Sequence, residues 1–305
     1  MSLISNNKTS FFSNFIFVFS SQIIVLASGI IKTLAIPLLI SISEYAYWQL
    51  YVFYTIHIAI FTLGYGDGIY LKYGGFGILK LPLDKIRSAN IFFLSTAVIL
   101  SIFLIFLVSY SETIERQIVF FAIALNIIIV GVISNISLTL QACNEMKGYA
   151  FLNSADKIFF TFCLILLFFE EFRSFEYLII FDVISKFLIL FILFKRYIYL
   201  FFGKLATPFE GLSEYFDSLK VGFSLLVANL SAMLILGVGR LIIEYFGDIE
   251  SYAQYSLAAA LSSMVLVFIS ALSISFYPVI KQKSLNQYIS YFDLISYFYR
   301  LFIIL

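Results

Sequence analysis

Charge is scarce in this chain. Only 12% of its 305 residues are Asp, Glu, Lys or Arg, against roughly 25% in an ordinary soluble domain. Too few polar side chains remain to coat a water-soluble globule. Cysteine is nearly absent: Cys143 and Cys163 fall in or beside apolar runs, without CxxC spacing and without a histidine at metal-ligand spacing. That excludes a disulfide framework and a cysteine metal site, and leaves two small buried residues. His57 is the only histidine. The net charge of +1 comes with no basic tract, so nothing points to nucleic acid as a partner. Long polar connections are missing too; the largest, 64–89 and 195–220, are too short for an extramembrane catalytic domain. The stretch GYGDG (64–68) lacks the GxxxxGK[ST] of a phosphate loop and reads as a turn at the inner surface.

What is present is apolar length. Hydrophobic residues make up 62% of the chain, with 37 Phe and 21 Tyr, and mean hydropathy is +1.02. A membrane helix needs about 20 mostly apolar residues. Such runs fall at 11–40, 45–63, 90–110, 118–140, 149–169, 177–194, 221–243 and 252–274, with a ninth opening near Tyr291. The expected fold class is all-α: a polytopic helical membrane protein of about nine spans. The first run is too long for a signal core and lacks a small-residue cleavage site, so it reads as an uncleaved span. It exceeds what a bilayer needs and is expected to tilt, or to bend at Pro37.

Loop charge orients the spans. With the N-terminus in the cytoplasm, Lys8, Lys72, Lys80, Lys85, Arg87, Lys147, Lys195, Arg196, Lys204, Lys220, Lys281 and Lys283 fall inside, and only Arg116 and Arg173 outside. Twelve against two is a positive-inside pattern. The segment 208–224 reads as an amphipathic elbow on the inner surface.

The seventh span restarts the pattern of the first. SEYAYWQL (43–50) and ESYAQYSL (250–257) align at an offset of 207, matching Tyr45, Ala46 and Leu50 with Tyr252, Ala253 and Leu257, and further on Tyr70 with Tyr277. Lys32 falls one position from alignment with Arg240. The expected organisation is a six-helix bundle over 1–200, a cytoplasmic amphipathic linker over 201–220, and an incomplete second bundle over 221–305. The last run, about 15 residues, is short of the ~20 needed to cross, so the chain is expected to be a fragment or a truncated frame. Parallel half-repeats are a transporter architecture with the substrate site at their interface.

The stretches SEYAYWQLYVFY, LGYGDGIYLKYGG, QACNEMKGYAFLN and SFYPVIKQ resemble those of the bacterial O-antigen and capsular polysaccharide flippases, members of the multidrug/oligosaccharidyl-lipid/polysaccharide exporter superfamily. The resemblance covers nearly all of this chain and about the first two-thirds of a typical member. It implies transport without enzymatic activity: an undecaprenyl-pyrophosphate-linked oligosaccharide moved by alternating access across the bacterial inner membrane. It implies no cofactor beyond an H+ or Na+ gradient. Its implied partners are membrane lipids and the polymerase and chain-length machinery. A small-molecule antiporter of the same superfamily, and a membrane polymerase or glycosyltransferase, remain the alternatives.

Polar residues inside the spans name the candidate site. Asn14, Ser21 and Ser28 recur every seven residues in the first span and Lys32 follows four later, which aligns them on one stripe. In the seventh span Gly222, Asn229, Met233 and Arg240 share a face. The expectation is a polar stripe and two cations facing one cavity, with a diphosphate between Lys32 and Arg240 and Lys157 as a further cation. Snorkelling to the interface is the alternative for each cation. Asp182 and Lys186, four apart, read as a structural ion pair or as an ion-coupling site. Asp156 and Lys157 are adjacent, so they point about 100° apart and do not face one partner from the same direction. His57 reads as a hydrogen-bonded interior residue or a proton carrier.

Overall fold

The computed structural model describes residues 2–109 and 113–262, with the side chains of 2–15, 59, 168, 232, 233 and 236 outside that description. The described residues form no strand. Their order is α1 (Ser2–Leu39), α2 (Ile42–Ile56), α3 (Tyr65–Tyr73), α4 (Leu83–Val108), α5 (Ile114–Ala142), α6 (Met146–Cys163), α7 (Phe175–Arg196) and α8 (Pro208–Phe246); residues 249–262 are also helical. Among the described residues, five stretches are long and apolar enough to cross a membrane: Ile16–Leu39, Leu83–Val108, Ile114–Ala142, Met146–Leu167 and Phe175–Arg196. Their outward faces are apolar, as on α4, where Ile91, Val98, Ile102 and Ile105 are exposed at helical spacing. The chain is therefore a helical membrane protein, and all of its regular structure among the described residues is helix. Tyr277, Asp293, Arg300 and the run from Tyr291 lie outside the described residues.

Three expectations are corrected. The second run does not form one helix over 45–63. α2 stops at Ile56, where His57 caps it, a single 3-10 turn follows at Ile58–Ile60, and the chain re-enters a helix at Tyr65. Leu63 and Gly64 are both left-handed, at φ 53° and 76°, and they reset the direction of the new helix. GYGDG is consequently not a surface turn: Gly64 caps α3, and Tyr65 to Gly68 form its first turn. α3 then runs beside the C-terminal half of α5, so Gly75 N–H reaches the last carbonyl of that helix, Ala142, at 2.9 Å. Irregular backbone at membrane depth is tolerated where it is buried in protein or lines a cavity, and residues on both sides of this break do line one.

The third correction concerns the linker. Residues 208–224 are not a separate elbow, because α8 runs unbroken from Pro208 to Phe246. No Gly–Pro signal interrupts it, and a capping box starts it. The Thr207 hydroxyl accepts from Glu210 N–H at 3.3 Å, while Glu210 Oε2 accepts from Thr207 N–H at 3.1 Å and from the Thr207 hydroxyl at 2.9 Å. These bonds from Thr207 hold the Glu210 carboxyl below its ordinary value. A depressed folded value means that the box stabilises above the unfolded pKa and is lost as pH falls through the folded one. Thr207→Ala is expected to cost about 1 kcal/mol at neutral pH. In thermal melts in detergent, the gap to the parent should shrink as the medium is acidified.

Two large apolar clusters, with a small third around Ile58, Ala97 and Ile127, hold the bundle. One lies toward the N-terminal end of α5 and contains Ile36, Tyr45, Ala46, Trp48, Ile123, Phe160, Phe175, Tyr252 and Ala253. The pairs matched at the 207-residue offset, Tyr45 with Tyr252 and Ala46 with Ala253, thus share this cluster. The other lies toward the C-terminal end of α5, around Tyr65, Ile69, Phe93, Val132, Leu140 and Tyr215. Beside it α3 crosses α8 at backbone contact. A Cβ on Gly68 would lie 1.8 Å from the Ser218 carbonyl oxygen, and one on Gly222 would lie 2.1 Å from that of Gly64. Small residues permit such an approach. Glu214 of α8 pins the crossing, accepting from Lys72 Nζ at 2.7 Å and from the Tyr73 hydroxyl at 2.8 Å.

Candidate functional site

A cavity of about 720 Å³ lies among the helices, walled by Trp48 and Tyr51 of the first cluster and by Phe93 and Leu152 of the second. Lys32, Asp156, Lys157, Asp182, Lys186, Asn229 and Arg240 all line it. Side chains from α1, α6, α7 and α8, spread over two hundred residues of sequence, therefore meet at one space.

The four cations differ in their partners. Lys186 Nζ donates to Asp182 Oδ2, which also accepts from the Tyr51 hydroxyl at 2.5 Å. Asn126 Nδ2 donates to that hydroxyl at 2.6 Å, so the pair is closed by a network from α2, α5 and α7. Lys157 Nζ meets Asp156 Oδ2 at 2.5 Å. The two side chains leave the helix about 100° apart, yet the four-carbon lysine stem bends back to its neighbour. Each of these lysines is neutralised locally. Lys32 and Arg240, by contrast, have no carboxylate within ion-pair distance among the described residues. Lys32 Nζ lies 4.0 Å above the centre of the Phe160 ring. Arg240 stands 5.7 Å from the Phe53 ring centre and donates to the Ser256 carbonyl at 3.3 Å. Cation–π contact and one carbonyl soften the cost of desolvation without cancelling charge, so the wall carries two net positive charges at this level.

The expected polar stripe of α1 does not face the cavity. Ser21 is buried and donates to Val18 O in its own helix at 2.7 Å. Ser28 turns toward α6, bonding Thr161 Oγ1 at 2.5 Å and Lys157 O at 3.2 Å. Ser28 thus sits in the seam along which α1 packs on α6. Lys32 clears its edge, and the α1 cavity residues are Gly29, Lys32 and Thr33. Asn229 does line the cavity. The side chains of Asn14 and Met233 lie outside those described. His57 is spent on its helix end, with Nδ1 2.5 Å from Phe53 O.

A second group was missed in the sequence. Ser134, Ser137 and Gln141 of α5, Asn153 of α6 and Asp67 of α3 line the same cavity. The signal was legible in ISNISLTLQ (133–141), where Ser134, Ser137 and Gln141 recur at i, i+3 and i+7 on one face of the helix. No cluster of potential metal ligands occurs among the described residues.

Comparison of the chain with protein-family models, with curated proteins and with solved structures finds no match.

Proposed function

We propose that this chain binds an anionic lipid-linked oligosaccharide in the cavity and belongs to a flippase that carries it across the bacterial cytoplasmic membrane. One observation carries the reading. Two cations, Lys32 on α1 and Arg240 on α8, line one cavity among the helices, and neither has a carboxylate partner among the described residues. An isolated charge at membrane depth is costly and marks a pathway or a binding site. A diphosphate satisfies both cations through charge-assisted hydrogen bonds, which are strong where water is scarce. The unpaired positive charge disfavours a cationic drug as cargo, and the short loops disfavour a polymerase or glycosyltransferase.

The rest of the reading follows the sequence. Twelve inside cations against two put the N-terminus in the cytoplasm. The 207-residue offset and the placing of Lys32 and Arg240 on one cavity support two parallel half-repeats around it, within about nine spans. Alternating access, driven by an H+ or Na+ gradient, would move the repeats against one another. Polysaccharide polymerase and chain-length proteins would take the product outside.

In cells whose surface polysaccharide depends on this chain, Lys32→Ala and Arg240→Ala together are expected to abolish export at unchanged protein level, read by surface glycan staining. Normal export in that double variant would remove the basis of the proposal.

A further inference from the structure

The cavity is chemically divided along its length. Its charged level is fixed by Asn126, which bonds Tyr51 and through it Asp182. Ser134, Ser137 and Gln141 follow eight to fifteen residues later on α5, about 12–22 Å further along the helix. At that level the wall adds Asn153 of α6 and Asp67 of α3; the next cavity cation along α6, Lys157, follows Asn153 by one turn and is neutralised by Asp156. The side chains of Ser134, Ser137, Gln141, Asn153 and Asp67 make no hydrogen bond to the protein among the described residues. Two amide atoms are buried there without a partner: Asn153 Nδ2, and Oδ1 of Asn135, which is itself 6% exposed. Asn135 also lines the cavity. Buried polar atoms are ordinarily satisfied, so the two orphan amide atoms, beside the half-buried side chains of Ser134, Ser137, Gln141 and Asp67 on the same space, are groups open to a ligand.

We infer that this level is a binding subsite for the uncharged, polyhydroxylated part of the cargo, distinct from the anion subsite at Lys32 and Arg240. Amide and hydroxyl side chains both donate and accept, which is what a ring of hydroxyls requires. Asp67 accepts from hydroxyls and repels an anion, so it fixes the polarity of the site. A ligand whose diphosphate is joined directly to a glycan spans both levels in one orientation. Its anion points to the N-terminal end of α5, and its sugar points to the break between α2 and α3.

The inference rests on the proposed anion site, and the test separates the two. Calorimetric titration of the full chain in lipid nanodiscs would compare farnesyl diphosphate with a farnesyl-diphosphate-linked disaccharide. The parent is expected to bind the glycosylated probe more tightly. Ser137→Ala with Gln141→Leu, and separately Asn153→Ala, should weaken that probe about tenfold through lost hydrogen bonds, with the bare diphosphate bound as before. The unchanged bare probe also shows that the variants are folded. Equal weakening of both probes, or no weakening of the glycosylated one, overturns the sugar subsite and leaves the anion site standing. Failure of the parent to bind either probe overturns both.

Discussion

Asp182→Ala is expected to destabilise the protein by about 3–5 kcal/mol, the cost of breaking a buried ion pair from one side. The Lys186 ammonium loses its carboxylate partner, and the Tyr51 hydroxyl loses the acceptor it shares with that lysine. Lys186 lies 5.6 Å from the Tyr51 ring centre, a contact too weak to replace the carboxylate. Lys186→Met is expected to do similar damage by stranding the carboxylate. Asp182→Leu combined with Lys186→Met should cost much less than the sum of the single changes, since an apolar pair needs no charge compensation. Denaturation in detergent, run as a double-mutant cycle, measures the coupling. Additive costs would show that the pair contributes nothing as a pair and would leave the closed network without an energetic role.

Gly68→Ala is the second change with a large expected effect. The new methyl would fall on the backbone of Ser218, with its carbonyl oxygen at 1.8 Å and its carbonyl carbon at 2.5 Å. A side chain can rotate away, but the backbone of a 39-residue helix cannot, so α3 and α8 must separate. That places the cost at or beyond the upper end of the ~1–3 kcal/mol typical of overpacking. Gly222→Ala meets the same crossing from the other side and should behave alike. Gly29→Ala is the control: a Cβ there meets nothing within 4 Å, so stability should hold or rise by up to about 1 kcal/mol from better helix propensity. If Gly68→Ala melts with the parent, the close crossing does not hold the helices together.

Apolar run length was enough to locate the five long helices, because a membrane imposes that length whatever the tertiary packing. That Lys32 and Arg240 stand on a cavity wall is in keeping with charge at membrane depth needing a reason. Periodicity misled at Ser21 and Ser28. A helical stripe gives a face but not what the face meets, and small polar residues suit a helix–helix seam as well as a cavity. The break at His57–Gly64 was hidden by continuous hydrophobicity, and only the left-handed Leu63 and Gly64 reveal it. The α5 row at Ser134, Ser137 and Gln141 was written plainly in the sequence. It became meaningful only when α3 and α6 brought Asp67 and Asn153 to the same cavity.

The protein carries its own probe for the central claim. Trp48 is the only tryptophan. It lines the cavity and stacks on Phe160 with ring centres 5.5 Å apart, and that same ring lies under Lys32. Titrating the purified chain with farnesyl diphosphate while recording Trp48 emission reads the anion site directly. A saturable change in emission is predicted, its midpoint moved at least tenfold to weaker binding by Lys32→Gln with Arg240→Gln through loss of two charge-assisted contacts. An unresponsive Trp48, or the same midpoint in parent and double variant, would contradict the claim that these two cations hold an anion.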